Sequence, residues 1–188
     1  MCYKKIVYAF VLILILSTNM FAQYPFKTGI YTVTGSVGFS LSNHEDNYIK
    51  DKMTAISIQP SYGYFVTNNL LVSGQLAFNY TEDNISNKSN GPSYKGIYRY
   101  YQVGASLRYY FNSETVIPFF GVGVFYSKQY NAEMDGKGMN ISAGINYFLS
   151  KEIALEPYLS YSFSSYNKYG QSNNNFNVGL SINYYIIN

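Results

Sequence analysis

The sequence is poor in charged residues, tryptophan and cysteine. Only 12% of its 188 residues are charged, against roughly a quarter in an ordinary soluble domain. Tryptophan is absent and the single cysteine is Cys2, so disulfides and thiolate chemistry are excluded from the rest of the chain. Lys4 and Lys5 carry two of the three formal positive charges, which leaves +1 beyond them. This near-neutral balance gives no electrostatic case for a nucleic-acid partner.

Long apolar runs are also missing, except for one at the amino terminus. Residues 6–16 form an unbroken run of 11 apolar residues after Lys4 and Lys5, and Ala22 precedes Gln23. A positive segment, an apolar segment and a small residue before a cleavage point are typical of a secretory signal peptide. A retained membrane anchor is disfavoured, because a spanning helix needs about 20 apolar residues. We predict a signal peptide at 1–22 and one domain at 23–188.

The remaining chain alternates between apolar and polar residues. Val33, Val37 and Phe39, for example, are separated by small or polar residues. Successive side chains of a strand point to opposite faces, so each strand has one apolar face and one small, polar face. Strands of about 10 to 14 residues suit a tilted bilayer crossing. The pattern predicts eight of them: 33–42, 53–66, 70–80, 97–111, 116–127, 138–149, 153–163 and 175–187.

The connections between these strands alternate in length. Tight turns are predicted at 67–69, 112–115 and 150–152, and longer polar loops at 42–51, 81–96, 128–137 and 164–174. Membrane barrels have short periplasmic turns and longer external loops. We therefore predict an all-β fold, an eight-stranded antiparallel up-and-down transmembrane β-barrel with its apolar face toward lipid. A secreted lipocalin-like binding barrel, with the apolar face inward, is the alternative.

Three stretches before the short turns carry a more specific likeness. They are Gly63-Tyr64-Phe65-Val66-Thr67-Asn68-Asn69-Leu70, Arg108-Tyr109-Tyr110-Phe111 and Tyr147-Phe148-Leu149-Ser150. Over residues 31–187 the chain resembles the small eight-stranded outer-membrane barrels (OmpX-like and OmpA membrane-domain-like), in particular the outer-membrane β-barrel domain common in Bacteroidota. The last strand resembles the barrel-insertion signal of such proteins at Asn177, Gly179, Ile182 and Tyr184.

The resemblance implies a location and partners. The location is the outer membrane of a Gram-negative bacterium, reached after secretion and signal-peptide cleavage. The implied partners are outer-membrane lipid and the barrel-assembly machinery during insertion. An unknown external ligand at the surface loops is a further expectation, and we expect a monomer.

The sequence offers no catalytic, cofactor or metal site. His44, the only histidine, lies in the first long loop near Asp46. It has no paired nucleophile, so an ordinary solvated loop histidine is the better interpretation. We expect a non-enzymatic barrel with a structural or surface-interaction role and a filled lumen. A narrow conduit or a lipid-handling barrel, including a lipid A-modifying enzyme, stays open as an alternative.

The predicted inward face suggests how the lumen is filled. Five rings fall near the short-turn end and form a predicted plug: Phe65, Tyr110, Phe119, Phe148 and Tyr185. Glycines above them are expected to leave room for water: Gly63, Gly104, Gly121, Gly123, Gly144 and Gly179. Arg108 and Glu156 are inward ionisable residues at similar heights. An unpaired charge there would cost several kcal/mol, so we predict an ion pair across the lumen. The alternative is that water and Gln102 or Ser160 satisfy each charge.

Overall fold

The computed structural model describes residues 26–45, 49–87, 94–113, 116–130, 135–166 and 172–187. These residues form one closed antiparallel barrel, in which every strand pairs with its sequence neighbours and β1 pairs with β8. The prediction of an eight-stranded up-and-down barrel is confirmed. The strands are β1 Tyr31–Glu45, β2 Ile49–Phe65, β3 Leu70–Asn87, β4 Tyr94–Tyr110, β5 Val116–Gln129, β6 Asp135–Phe148, β7 Ile153–Tyr166 and β8 Ser172–Ile186.

The two faces of the wall separate as the alternation predicts. Val37, Ile58 and Val124 point outward and are 57%, 57% and 60% exposed, whereas inward side chains such as Ser36, Ser73 and Ser181 are buried. An apolar outer surface on a closed barrel is unfavourable in water, but it suits contact with lipid. The lipocalin-like alternative, with its apolar face inward, is therefore wrong.

The strands are longer than the sequence predicts at the end opposite the short turns. The predicted loop 81–96 is mostly strand, since the β3–β4 ladder continues to Ile85 opposite Tyr94. The other predicted loops are shortened in the same way, and β1 and β2 pair out to Glu45 opposite Lys50. Beyond the lipid both faces of a strand meet water, so hydropathy alternation disappears while backbone pairing persists.

Several sequence predictions fall partly or wholly outside this structure. The predicted signal peptide at 1–22 and Asp46 lie outside the described residues. His44 lies on β1 opposite Asp51, but its side chain is not described. In the described part of the chain, no helix is long and apolar enough to cross a membrane. The same residues include no cluster of side chains suited to hold a metal ion.

Candidate functional site in the barrel lumen

The short-turn end of the lumen is closed by aromatic rings. All five residues of the predicted plug point inward and are buried, from Phe65 at 0% exposure to Phe148 at 5%. Tyr110 lies 5.6 Å from Phe119, and Tyr185 lies 5.3 Å from Phe148, between ring centroids. Both distances lie within the roughly 4.5–7 Å range at which aromatic pairs attract each other. The rings fill the narrow interior of an eight-stranded barrel at this end.

A sixth ring, Phe26, completes this closure and was missed by the sequence analysis. It precedes β1 and packs against four rings of the plug, with centroid distances of 4.7 Å to Tyr110 and 4.9 Å to Phe65. The following turn contains Gly29 at φ 97°, a conformation that suits glycine. The Gly29 amide donates to the Phe65 carbonyl at 3.0 Å, while the Phe65 amide donates to the Ile30 carbonyl. We call the five predicted rings together with Phe26 the floor.

Above the floor, the structure brings Arg108 and Glu156 together. The Arg108 Nη1 donates to Glu156 Oε1 at 2.5 Å, and the Glu156 side chain is fully buried. The guanidinium also lies 5.1 Å from the centre of the Phe119 ring, within cation–π range. The pair joins β4 to β7 across the lumen and not along one wall.

Neutral side chains complete the shell of Glu156. Its second oxygen, Oε2, accepts from the Tyr110 hydroxyl at 3.2 Å and from Asn183 Nδ2 at 3.0 Å. Asn183 also donates to Asn146 Oδ1 and accepts from the Thr34 hydroxyl at 2.8 Å. Sequence reasoning missed Asn146 and Asn183, because every inward polar residue looks alike until the register is known. This network links five strands of the wall, β1, β4, β6, β7 and β8, and three donors satisfy the buried carboxylate.

The prediction that lumen glycines leave room for water is wrong. A Cβ at any of the six positions would collide with a neighbouring side chain or backbone atom. Gly144 lies directly opposite Phe119, and Gly179 lies directly opposite Tyr158. In each pair the ring lies across the glycine. Because glycine has no side chain, it leaves space for a large inward residue on the neighbouring strand. Covering a glycine with an aromatic ring in this way stabilises the sheet.

The other end of the lumen is an open, polar cavity, which we call the outer cavity. Its volume is about 300 Å³, and all eight strands contribute to its lining. Carboxamides and hydroxyls dominate the lining, with four tyrosines and one carboxylate, Asp83. The carboxamides are Gln59, Gln75, Asn79, Gln102, Asn140, Asn175 and Asn177. A lumen filled along its whole length is therefore not what the structure shows: the floor is filled and the outer cavity is open.

The four residues of the proposed insertion signal all lie on β8. Ile182 and Tyr184 point outward, at 55% and 44% exposure. Asn177 lines the outer cavity, and Gly179 accommodates the Tyr158 ring. Gly179 thus has a packing role in the finished barrel, and recognition of the signal during insertion stays a prediction.

A closed barrel with a lipid-facing apolar wall and polar ends is the architecture of a small membrane-spanning β-barrel. The chain belongs to the family described as the outer membrane protein beta-barrel domain, whose family model matches residues 8–183. The protein is therefore located in the outer membrane. That match begins inside the predicted signal peptide, so the domain boundary at residue 23 stays a prediction, as does the attribution to Bacteroidota.

Solved structures agree on the fold. The outer membrane protein OprG from Pseudomonas aeruginosa superposes with a TM-score of 0.63 at 12% identity, covering 88% of this chain and 100% of OprG. Neisserial surface protein A superposes with a TM-score of 0.58 at 18% identity, and the match covers 86% of this chain and 98% of that protein. The amino-terminal barrel of Pseudomonas aeruginosa OprF superposes with a TM-score of 0.51 at 16% identity, and the match covers 85% of this chain and 98% of that domain. No curated protein matches the chain.

Proposed function

We propose that this protein is a non-conducting outer-membrane barrel that interacts with molecules outside the cell. The floor is the observation that carries the proposal. Six rings close the lumen at the short-turn end, which barrels of this kind place in the periplasm. The ion pair and its asparagine shell lie directly above the floor, and the two charges neutralise each other there. The outer cavity and the long hairpins then face the exterior.

The remaining partners follow from this arrangement. The outward apolar band contacts membrane lipid, and the alternating outward Ile182 and Tyr184 on β8 present a surface for the barrel-assembly machinery. A monomer is proposed because closure of β1 on β8 leaves the ladder complete between Tyr31 and Phe39 without a second chain. A nucleic-acid partner is not proposed, since nothing in the charge balance calls for one.

Conductance of the purified barrel in planar bilayers tests the closed floor. We expect no steady channels from the wild type. Joint substitution Phe26→Ala and Phe65→Ala should produce small, flickering currents, because both rings meet at the floor with centroids 4.9 Å apart. The matched control is Phe111→Ala, since Phe111 is 50% exposed on the outer face. Steady wild-type channels of porin size would contradict the proposal.

Lipid handling is a second candidate, favoured by a shallow groove on the lipid-facing wall. The groove has a volume of about 740 Å³ and is mainly apolar. It is bordered by Val124, Met139 and Phe163, with Lys137 also in its lining. No histidine is among its described lining residues, which weighs against acyl hydrolysis there. Incubation with lipopolysaccharide and mass spectrometry of the lipid A would test it, and loss of an acyl chain would establish an enzyme.

A further inference from the structure

The polar side chains of the outer cavity differ from those below it in one respect. Lower in the lumen, inward hydroxyls pair with each other, as in Ser36 with Ser181 at 2.9 Å and Ser73 with Ser106 at 2.7 Å. In the outer cavity, six carboxamides have no side-chain hydrogen bond to another described residue: Gln59, Gln75, Gln102, Asn140, Asn175 and Asn177. The Nδ2 of Asn79 is buried without a partner among the described residues.

Unused carboxamides define the kind of ligand that would complement the outer cavity. A carboxamide offers two donors and an acceptor without net charge, so several of them together suit a molecule rich in hydroxyl groups. Asp83 is the only charged residue in the described lining, and no lysine or arginine lies there. An anionic ligand would find no counter-charge among these described residues. An apolar ligand would bury these amides without hydrogen-bond partners, which is unfavourable for each group.

Aromatic faces and size narrow the class further. Tyr98, Tyr100, Tyr158 and Tyr166 all line the cavity, and the rings of Tyr100 and Tyr166 are 6.4 Å apart between centroids. A tyrosine ring offers an apolar face beside a polar hydroxyl, which matches the C–H face and the hydroxyl rim of a pyranose. At about 300 Å³ the cavity is at the low end of small-molecule sites, so it accommodates one sugar ring.

We propose that the outer cavity binds a neutral monosaccharide, free or at the end of a glycan, through these carboxamides and tyrosines. The inference rests on the proposed function in one respect: a closed floor makes the cavity a receptor pocket and not a passage. Every strand contributes to the lining, so the described part of the site is formed by the barrel wall itself.

Saturation-transfer NMR on the full refolded barrel in detergent micelles provides the test. The probes are glucose, galactose, fucose and N-acetylglucosamine, with glucuronate as the charged comparison. We expect transfer to at least one neutral sugar and none to glucuronate. Gln75→Leu and Gln102→Leu should each weaken binding about tenfold, through loss of a hydrogen-bonding amide. Gln129→Leu is the matched control, because Gln129 is a half-buried inward residue of β5 outside the cavity lining.

Heat-modifiable gel mobility would confirm that each variant is folded before binding is measured. The proposal is overturned if the wild type binds none of the four neutral sugars, if glucuronate binds best, or if the folded cavity variants bind as the wild type does. Failure of the proposed function looks different. A barrel that conducts steadily and still binds sugar would contradict the closed floor. A non-conducting barrel that binds no sugar would contradict only the proposed sugar site.

Discussion

Removing one partner of the Arg108–Glu156 pair should destabilise the barrel by more than the loss of one hydrogen bond would. Glu156→Gln keeps the size of the side chain but leaves the Arg108 cation without its counter-charge in the lumen. Arg108→Met leaves a carboxylate that is fully buried. Breaking a buried pair from one side typically costs about 3–5 kcal/mol, because the remaining charge is uncompensated.

The double variant should recover part of this loss. With both charges gone, no member of the pair is left as an uncompensated charge, and Tyr110 and Asn183 can still donate to the amide oxygen that remains at position 156. The cation–π contact with Phe119 is lost in Arg108→Met and in the double variant alike, so it cancels from the cycle. We therefore expect a coupling of about 2–3 kcal/mol, at the upper end of the range for contacting residues.

Urea unfolding of the refolded barrel in lipid vesicles would measure the free energy of unfolding of the wild type, the two single variants and the double variant. Lys95 and Glu82 supply a matched control, with an ion pair at 2.8 Å beyond the apolar band. A hydrogen bond to Lys95 lowers the pKa of Glu82, yet water screens the pair, so the cycle Lys95→Met and Glu82→Gln should show no coupling above error. Additive losses at the Arg108 pair, within roughly 0.5 kcal/mol, would refute the reasoning.

Two further predictions concern glycines. Gly29→Ala should lower the free energy of unfolding by about 1–2 kcal/mol, since φ is 97° there, whereas Gly35→Ala, with open space around its Cβ, should change it little in the same urea titration. Gly179→Ala should lower the free energy of unfolding by about 1–3 kcal/mol, because the added methyl group forces the Tyr158 ring aside. Gly74→Ala, on the open outer face, should leave that free energy unchanged. A Gly179→Ala barrel as stable as wild type would show that the ring moves freely.

The sequence predicted much of the fold because a membrane imposes a strict pattern. Lipid on one side and a narrow lumen on the other fix the inward or outward direction of every wall residue, so Val37 and Ser36 could be assigned from alternation alone. The ion pair could be anticipated for a related reason: charges are rare on the inward face, and both Arg108 and Glu156 lie about four residues from a short turn.

Other features depend on information that alternation does not contain. Phe26 precedes β1 in a segment without periodicity, so nothing in the pattern placed it under the barrel. The Tyr158–Gly179 pair requires the register of β7 against β8, which sequence spacing leaves undetermined. The extra length of β3 and β4 follows from backbone pairing in water, where hydropathy carries no strand signal.

Cysteine accessibility in intact cells tests the central claim that the lumen opens outward above a closed floor. The only natural cysteine, Cys2, lies in the predicted signal peptide, so introduced thiols can be followed one at a time. A membrane-impermeant maleimide added outside should label Gln102→Cys, which lines the outer cavity. It should leave Ser181→Cys, at 0% exposure beside Glu156, unlabelled until the barrel is unfolded. Equal labelling of both positions in intact cells, or labelling of Gln102→Cys only from the periplasmic side, would contradict the account.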